Sequence, residues 1–135
     1  MILASVKSLL DFGLVVLIWM TQLIVYPSFS YYSENQLINW HNRYTMAISV
    51  IVMPLMLGQV LFHGLDLINE FSVLKLIAAF LVGLVWLNTF FFAVPLHNQI
   101  SAGKSVLEAS GQLVSVNWYR AVLWTAVFLI GLLTR

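Results

Sequence analysis

A small set of polar residues stands where long apolar runs begin or end. Tyr26 closes the first run, His41 and Tyr44 open the second, His97 and Asn98 close the third, and Asn117 and Arg120 open the fourth. Gln22 lies one helical turn before Tyr26, and Asn88 lies two turns before Pro95. Asn117, Arg120 and Trp124 are spaced i, i+3, i+7, which puts them on one face of a helix. Imidazole exchanges protons near neutral pH. An arginine carried into an apolar span is a functional hypothesis by default, because its charge needs something to hold. The chemistry these residues suit is the binding of an anionic or strongly polar oxygen, with proton exchange beside it. His41, His97 and Arg120 are the candidate catalytic residues. Gln22, Tyr26, Tyr44, Asn88, Asn98, Asn117 and Trp124 are the candidate substrate-binding residues. Each also has a plainer reading. Arg120 can snorkel to the headgroups on its long stem. The histidines can be wetted helix ends, Trp40 and Tyr119 an aromatic belt, and Gln22 and Asn88 glue between helices.

The elements that position these residues follow from composition. The chain has 135 residues, 61% of them hydrophobic and 8% charged, with a formal net charge of +1. The apolar residues come in blocks long enough to cross a bilayer, which takes roughly 20 residues. Four blocks qualify, at about 8–30, 42–63, 73–97 and 112–134. Backbone groups cannot go unpaired in lipid, so the spans are read as helices. Short links force neighbours to run in opposite directions. The expected fold is an all-α, antiparallel four-helix transmembrane bundle forming one integral membrane domain. The last apolar run, 121–134, is too short by itself. Its helix must borrow "GQLVSVNWYR", which carries Arg120 into the membrane.

The connections are read as short. "HGLDLINEFS" joins helices 2 and 3, with Gly64 as C-cap and Ser72 as N-cap. "NQISAGKSVLEAS" joins helices 3 and 4 and holds a short interfacial helix. His63 has no partner in reach and reads as a solvated loop residue. Lys7 ahead of the first run does not make it a signal peptide, because Tyr26-Pro27 stands where small residues belong. Lys7, Lys75 and Arg135 share one end, with His63, Asp66 and Glu70. Arg43, Lys104, Glu34 and Glu108 share the other. With Arg120 inside the membrane, the positive-inside rule places both termini in the cytoplasm of a bacterial-type inner or plasma membrane.

Five stretches carry a resemblance: "VYPSF", "WHNRY", "VMPLM", "FFAVPLHNQI" and "NWYRAVLW". In order and spacing they resemble the anthrone-oxygenase-like family of small four-helix membrane proteins, largely a domain of unknown function. Pro27, Trp40, Pro54, Pro95, Asn117 and Arg120 take that family's places, while His97 stands where the family more often has Asn. The resemblance implies oxidation of a lipophilic aromatic or quinone-like molecule without bound metal or flavin. In that chemistry His41 or His97 takes a proton from a phenol-like substrate. Arg120 holds the oxyanion in a low dielectric, and Asn117 and Tyr44 orient it.

Two other classes compete. One is a haem b protein with His41 and His97 as axial ligands, or a copper site on the same pair. The other is a non-catalytic structural or accessory subunit. The implied partners are the lipid bilayer and a lipophilic small molecule, with a homo-oligomer left open. Nucleic acid has no basic patch to meet. The chain has no cysteine, which removes disulfides and thiolate chemistry. No phosphate-cradling loop is present. No acidic partner is expected near the histidines.

Overall fold

The computed structural model describes residues 2–134, so Arg135, assigned above to one end by charge, lies outside the described residues. Four helices account for the described residues. α1 covers Ile2–Tyr31, α2 Glu34–Asn69, α3 Val73–Ser101 and α4 Val106–Leu133. Each is long and apolar enough to cross a membrane, as in a multi-pass membrane protein. α4, at 28 residues, reaches about 42 Å at ~1.5 Å per residue. It therefore exceeds the ~30 Å hydrocarbon core by taking in Asn117 and Arg120. The helices run antiparallel. Lys7 near the start of α1 meets Asp66 near the end of α2, and Asp66 meets Lys75 near the start of α3. Large apolar side chains such as Phe12, Leu23, Ile51, Phe80 and Phe91 cover the outside, the arrangement lipid favours and water does not.

α1 and α3 share one device. In α1 a π-helical turn, Thr21–Val25, precedes Pro27; in α3 another, Thr89–Ala93, precedes Pro95. Proline has no N–H to donate, and its ring crowds the carbonyl four residues back. Widening the preceding turn relieves that crowding. In both cases a threonine six residues before the proline bonds back to the helix: Thr21 Oγ1 to the Leu17 carbonyl and Thr89 Oγ1 to the Val85 carbonyl, each at 2.8 Å. The bulge in α1 lets consecutive residues, Thr21 and Gln22, both point inward.

The links are tighter than the sequence suggested. α2 continues through Gly64 to Asn69, so Gly64 is not a cap. The contacts of Asp66 with Lys7 and Lys75 hold those last turns in place. Ser72 does cap α3, its Oγ accepting from the Lys75 N–H at 3.2 Å. At the other end Gln36 Oε1 accepts from both the backbone N–H and the Oγ of Ser33, fixing the start of α2. No separate interfacial helix joins α3 to α4. Residues 106–111 form the first turns of α4 instead. The link itself turns through Gly103 at φ +67° and Ser105 at φ +46°, conformations open to glycine and costly for serine.

The apolar core has two parts. One, built on Phe29, Leu37, Leu96, Ile100, Val106 and Leu113, closes the end that holds the 1–2 and 3–4 links. The other, built on Leu14, Ile18, Met56, Val85, Ala121 and Trp124, fills the middle.

This topology is directly testable because the chain has no cysteine. Single substitutions Ser33→Cys and Lys104→Cys should react with a membrane-impermeant thiol reagent from one side of sealed vesicles, and Glu70→Cys from the other. Labelling of all three from the same side contradicts the fold.

Candidate functional site

Six of the ten candidate residues converge in one hydrogen-bonded chain where the two core parts meet. His41 Nε2 lies 2.7 Å from His97 Nδ1, the rings stacked at 5.0 Å. His97 Nε2 lies 3.0 Å from the Tyr26 hydroxyl. Arg120 donates from Nη2 to that hydroxyl at 3.1 Å and to Asn117 Oδ1 at 2.6 Å. Asn117 Nδ2 donates to Gln22 Oε1 at 2.9 Å, and Gln22 Nε2 donates to the Val114 carbonyl at 3.2 Å. Beyond His41, its Nδ1 lies 3.2 Å from Ser101 Oγ. All four helices contribute. The π-helical turns supply the alignment, since Gln22 lies in one and Tyr26 and His97 follow the two of them.

The chain has a consistent direction with both imidazoles neutral. Arg120 donates to Tyr26, Tyr26 to His97 Nε2, His97 Nδ1–H to His41 Nε2, and His41 Nδ1–H to Ser101. Every nitrogen then has one role, as neutral imidazole requires. Shifting the hydrogens along the same atoms carries a proton from Tyr26 toward Ser101, whose exposed hydroxyl gives up its own proton as it takes one from His41.

A cavity of about 250 Å³ adjoins this chain. Arg120, Tyr26, Tyr44, His97, Asn98 and Trp124 line it, with an apolar wall that includes Ile48, Val52, Met53 and Met56. Its exposed rim is Ser49, Met53, Val94 and Asn98, so it opens between α2 and α3. His41 is fully buried behind His97 and does not line it. Asn88 stands apart from the cluster, in an outer groove between α3 and α4 with Trp118 and Tyr119. Its Oδ1 is buried without a hydrogen-bond partner. Trp40 and Tyr119 are exposed, as a belt residue is.

Arg120 is the electrostatic centre. It is only 8% exposed, and among the described residues no carboxylate pairs with it. Its two acceptors at Nη2 are neutral, and its Nε is buried without a partner. A charge so placed in a bilayer costs about 3 kcal/mol or more. It faces the bundle interior and is not turned out to the headgroups.

The structure also holds a polar cluster that sequence reasoning missed. His63 is not a solvated loop residue. It is 4% exposed, and its Nε2 lies 3.1 and 3.0 Å from the two carboxylate oxygens of Asp11. Gln59 Nε2 donates to Asp11 Oδ1 at 2.7 Å, and Trp124 Nε1 donates to Gln59 Oε1 at 2.9 Å. The expectation that no histidine has an acidic neighbour fails here. The signal was present as spacing. Lys7 and Asp11 stand at i, i+4, and Gln59, His63 and Asp66 at i, i+4, i+7, each set on one helix face.

Comparison of the chain with family models, with characterised proteins and with solved structures finds no match.

Tyr26→Phe should keep the ring contact with Phe29 at 5.6 Å while leaving Arg120 and His97 each short of a partner. A loss of about 1–3 kcal/mol is expected, read as unfolding in a detergent series. Asn88→Leu is the contrasting case. Its Oδ1 has no partner to lose, so stability should hold or rise.

Proposed function

We propose that the protein binds, within the bilayer, a lipophilic molecule with an oxygen-bearing head of quinone-like or phenolic type. The observation that carries this reading is Arg120, a buried cation lining a cavity with no counter-charge among the described residues. An anionic or strongly polar oxygen is the chemistry that satisfies it. The apolar wall suits a hydrophobic body. The cavity lies just under the ~300 Å³ lower end for small-molecule sites, so it fits a ring-sized head, with any tail leaving through the rim toward lipid.

The same residues suit proton removal from that head. His97 is the base that reaches the cavity, and His41 stands behind it as the next acceptor. The head's proton passes to the Tyr26 oxygen as Tyr26 gives its own to His97 Nε2 and His97 Nδ1 gives one to His41 Nε2, which leaves His97 neutral beside Arg120 and His41 protonated. Arg120 and Tyr26 then hold the oxyanion, and low dielectric strengthens that hold. A phenol-like anion formed this way is electron-rich enough to pass electrons to dioxygen. The oxidising version of the proposal, a cofactor-independent oxygenase, rests on the resemblance described above.

Haem on the histidine pair is less well supported. Two nitrogens on opposite sides of one metal stand about 4 Å apart, twice a bond of ~2.0–2.1 Å, whereas these stand 2.7 Å apart in a hydrogen bond. The pair would have to separate to ligate iron. The proposal keeps both termini cytoplasmic, on Lys7 and Lys75 at that end of the bundle.

The test uses a coloured anion, a 2-hydroxy-3-alkyl-1,4-naphthoquinone, titrated into the protein in nanodiscs with tryptophan fluorescence as the readout. Trp124 lines the cavity, so Trp124→Phe should remove much of the quenching. Arg120→Lys keeps the charge but loses the planar fork, and should weaken binding about tenfold. Arg120→Ala should weaken it further. Equal binding by the folded Arg120→Ala variant contradicts the proposal.

A further inference from the structure

The charges at the opposite end of the bundle from the His41–His97 pair do not cancel without a proton. Lys7 and Lys75 face Asp66 and Glu70, two against two. Lys7 and Lys75 both bond Asp66, and Lys75 also bonds Glu70 at 2.9 Å. Asp11 belongs to none of these pairs. Its carboxylate is fully buried, with Gln59 and His63 from α2 as its hydrogen-bond partners. Gly131 of α4 comes so close that a Cβ there would stand 3.2 Å from Asp11 Oδ2. Among the described residues no lysine or arginine pairs with Asp11, and His63 is its one titratable hydrogen-bond partner.

Asp11 and His63 can hold a proton between them in two ways, as carboxylate with imidazolium or as carboxylic acid with imidazole. Both are neutral, and the shared proton belongs to the pair and not to either residue. When that proton leaves, a net negative charge remains in a bundle surrounded by lipid, which is costly. The charge that offsets it is Arg120. Gly131 lies eleven residues beyond Arg120 on α4, so the two sites are roughly 16 Å apart along the bundle at ~1.5 Å per residue. Between them stands a contact pair, Trp124 on the cavity wall bonded to Gln59, and Gln59 bonded to Asp11.

We infer that Asp11 and His63 form a proton-binding site whose occupancy rises when an anion fills the Arg120 cavity, so that ligand and proton are taken up together. An anion beside Arg120 cancels the positive field that favours the deprotonated pair. The pair then gains a proton. Reciprocally, the protonated pair favours the anion by the same factor. At ~16 Å and an effective dielectric constant near 20 that factor is on the order of fivefold, and less water in the bundle makes it larger. Of the pair, His63 is the member that reaches the bundle surface, since it also lines a groove of about 570 Å³ between α2 and α3, beside Gly64 and Val82. The anion half of this inference rests on the function proposed above; the proton site itself does not.

Infrared difference spectra of the protein in nanodiscs, titrated from about pH 5 to about 9 around the imidazole range, test it. A carboxyl or imidazole band should titrate in the parent and shift or vanish in Asp11→Asn and in His63→Gln. Its midpoint should rise by about 0.7 pH unit, the fivefold above, in Arg120→Gln, while Arg120→Lys leaves it in place. Saturating naphthoquinone anion should raise the parent's midpoint likewise. If the parent and both pair variants titrate alike, the proton site is refuted. If the site titrates but neither Arg120→Gln nor bound anion moves it, the coupling is refuted. If the anion does not bind yet Arg120→Gln moves the midpoint, the coupling stands and the proposed ligand class falls.

Discussion

The arrangement depends on one constraint: a guanidinium held among four lipid-facing helices with no carboxylate beside it among the described residues. Arg120 cannot lose its proton, so the bundle must supply acceptors. It supplies neutral ones, the Tyr26 hydroxyl and the Asn117 carbonyl oxygen. Tyr26 reaches Arg120 at the end of α1, just past the π-helical turn that Pro27 requires. Asn117 in turn needs Gln22, which lies inside that turn. Remove the bulge and the inward positions of α1 shift around the helix. The backbone irregularities are therefore part of the site.

Two polar systems occupy the bundle core. The first joins Ser101, His41, His97, Tyr26 and Arg120. The second joins Trp124, Gln59, Asp11 and His63. α4 carries the members that bring them together, because Arg120 and Trp124 are one turn apart on the same face and both line the cavity. The two systems differ in charge: among the described residues the first has a cation with no carboxylate beside it, and the second has a carboxyl group bonded to Gln59 and His63. Each charge is tolerable partly because the other exists. On the inference drawn above, occupancy at one end is felt at the other without a large movement of helices.

Much of the fold was legible in the sequence, and less of the site. Four apolar blocks in a chain so poor in charge leave helices as the economical reading, and the short final run pointed to Arg120. Helix ends were harder. Gly64 reads as a stop, yet α2 passes through it, because the ion pairs of Asp66 lie in its tertiary contacts and not in local propensity. The meeting of Tyr26, His41, His97, Asn117 and Arg120 followed from their common depth. Asn88 shows the limit of depth alone, since it faces an outer groove on a different side of α3. Asp11 and His63 were missed for a related reason. His63 was read as a solvated loop residue and Asp11 was given no role, whereas shared faces on α1 and α2 turn both inward.

A map of the protein with the bound molecule, from crystals or single particles in nanodiscs, tests the central claim most directly. The account predicts an oxygen of that molecule within about 3 Å of the Arg120 guanidinium, with the Tyr26–His97–His41 chain intact behind it. A guanidinium turned out to the headgroups, with the Tyr26 bond broken and only an acyl chain in the cavity, contradicts it.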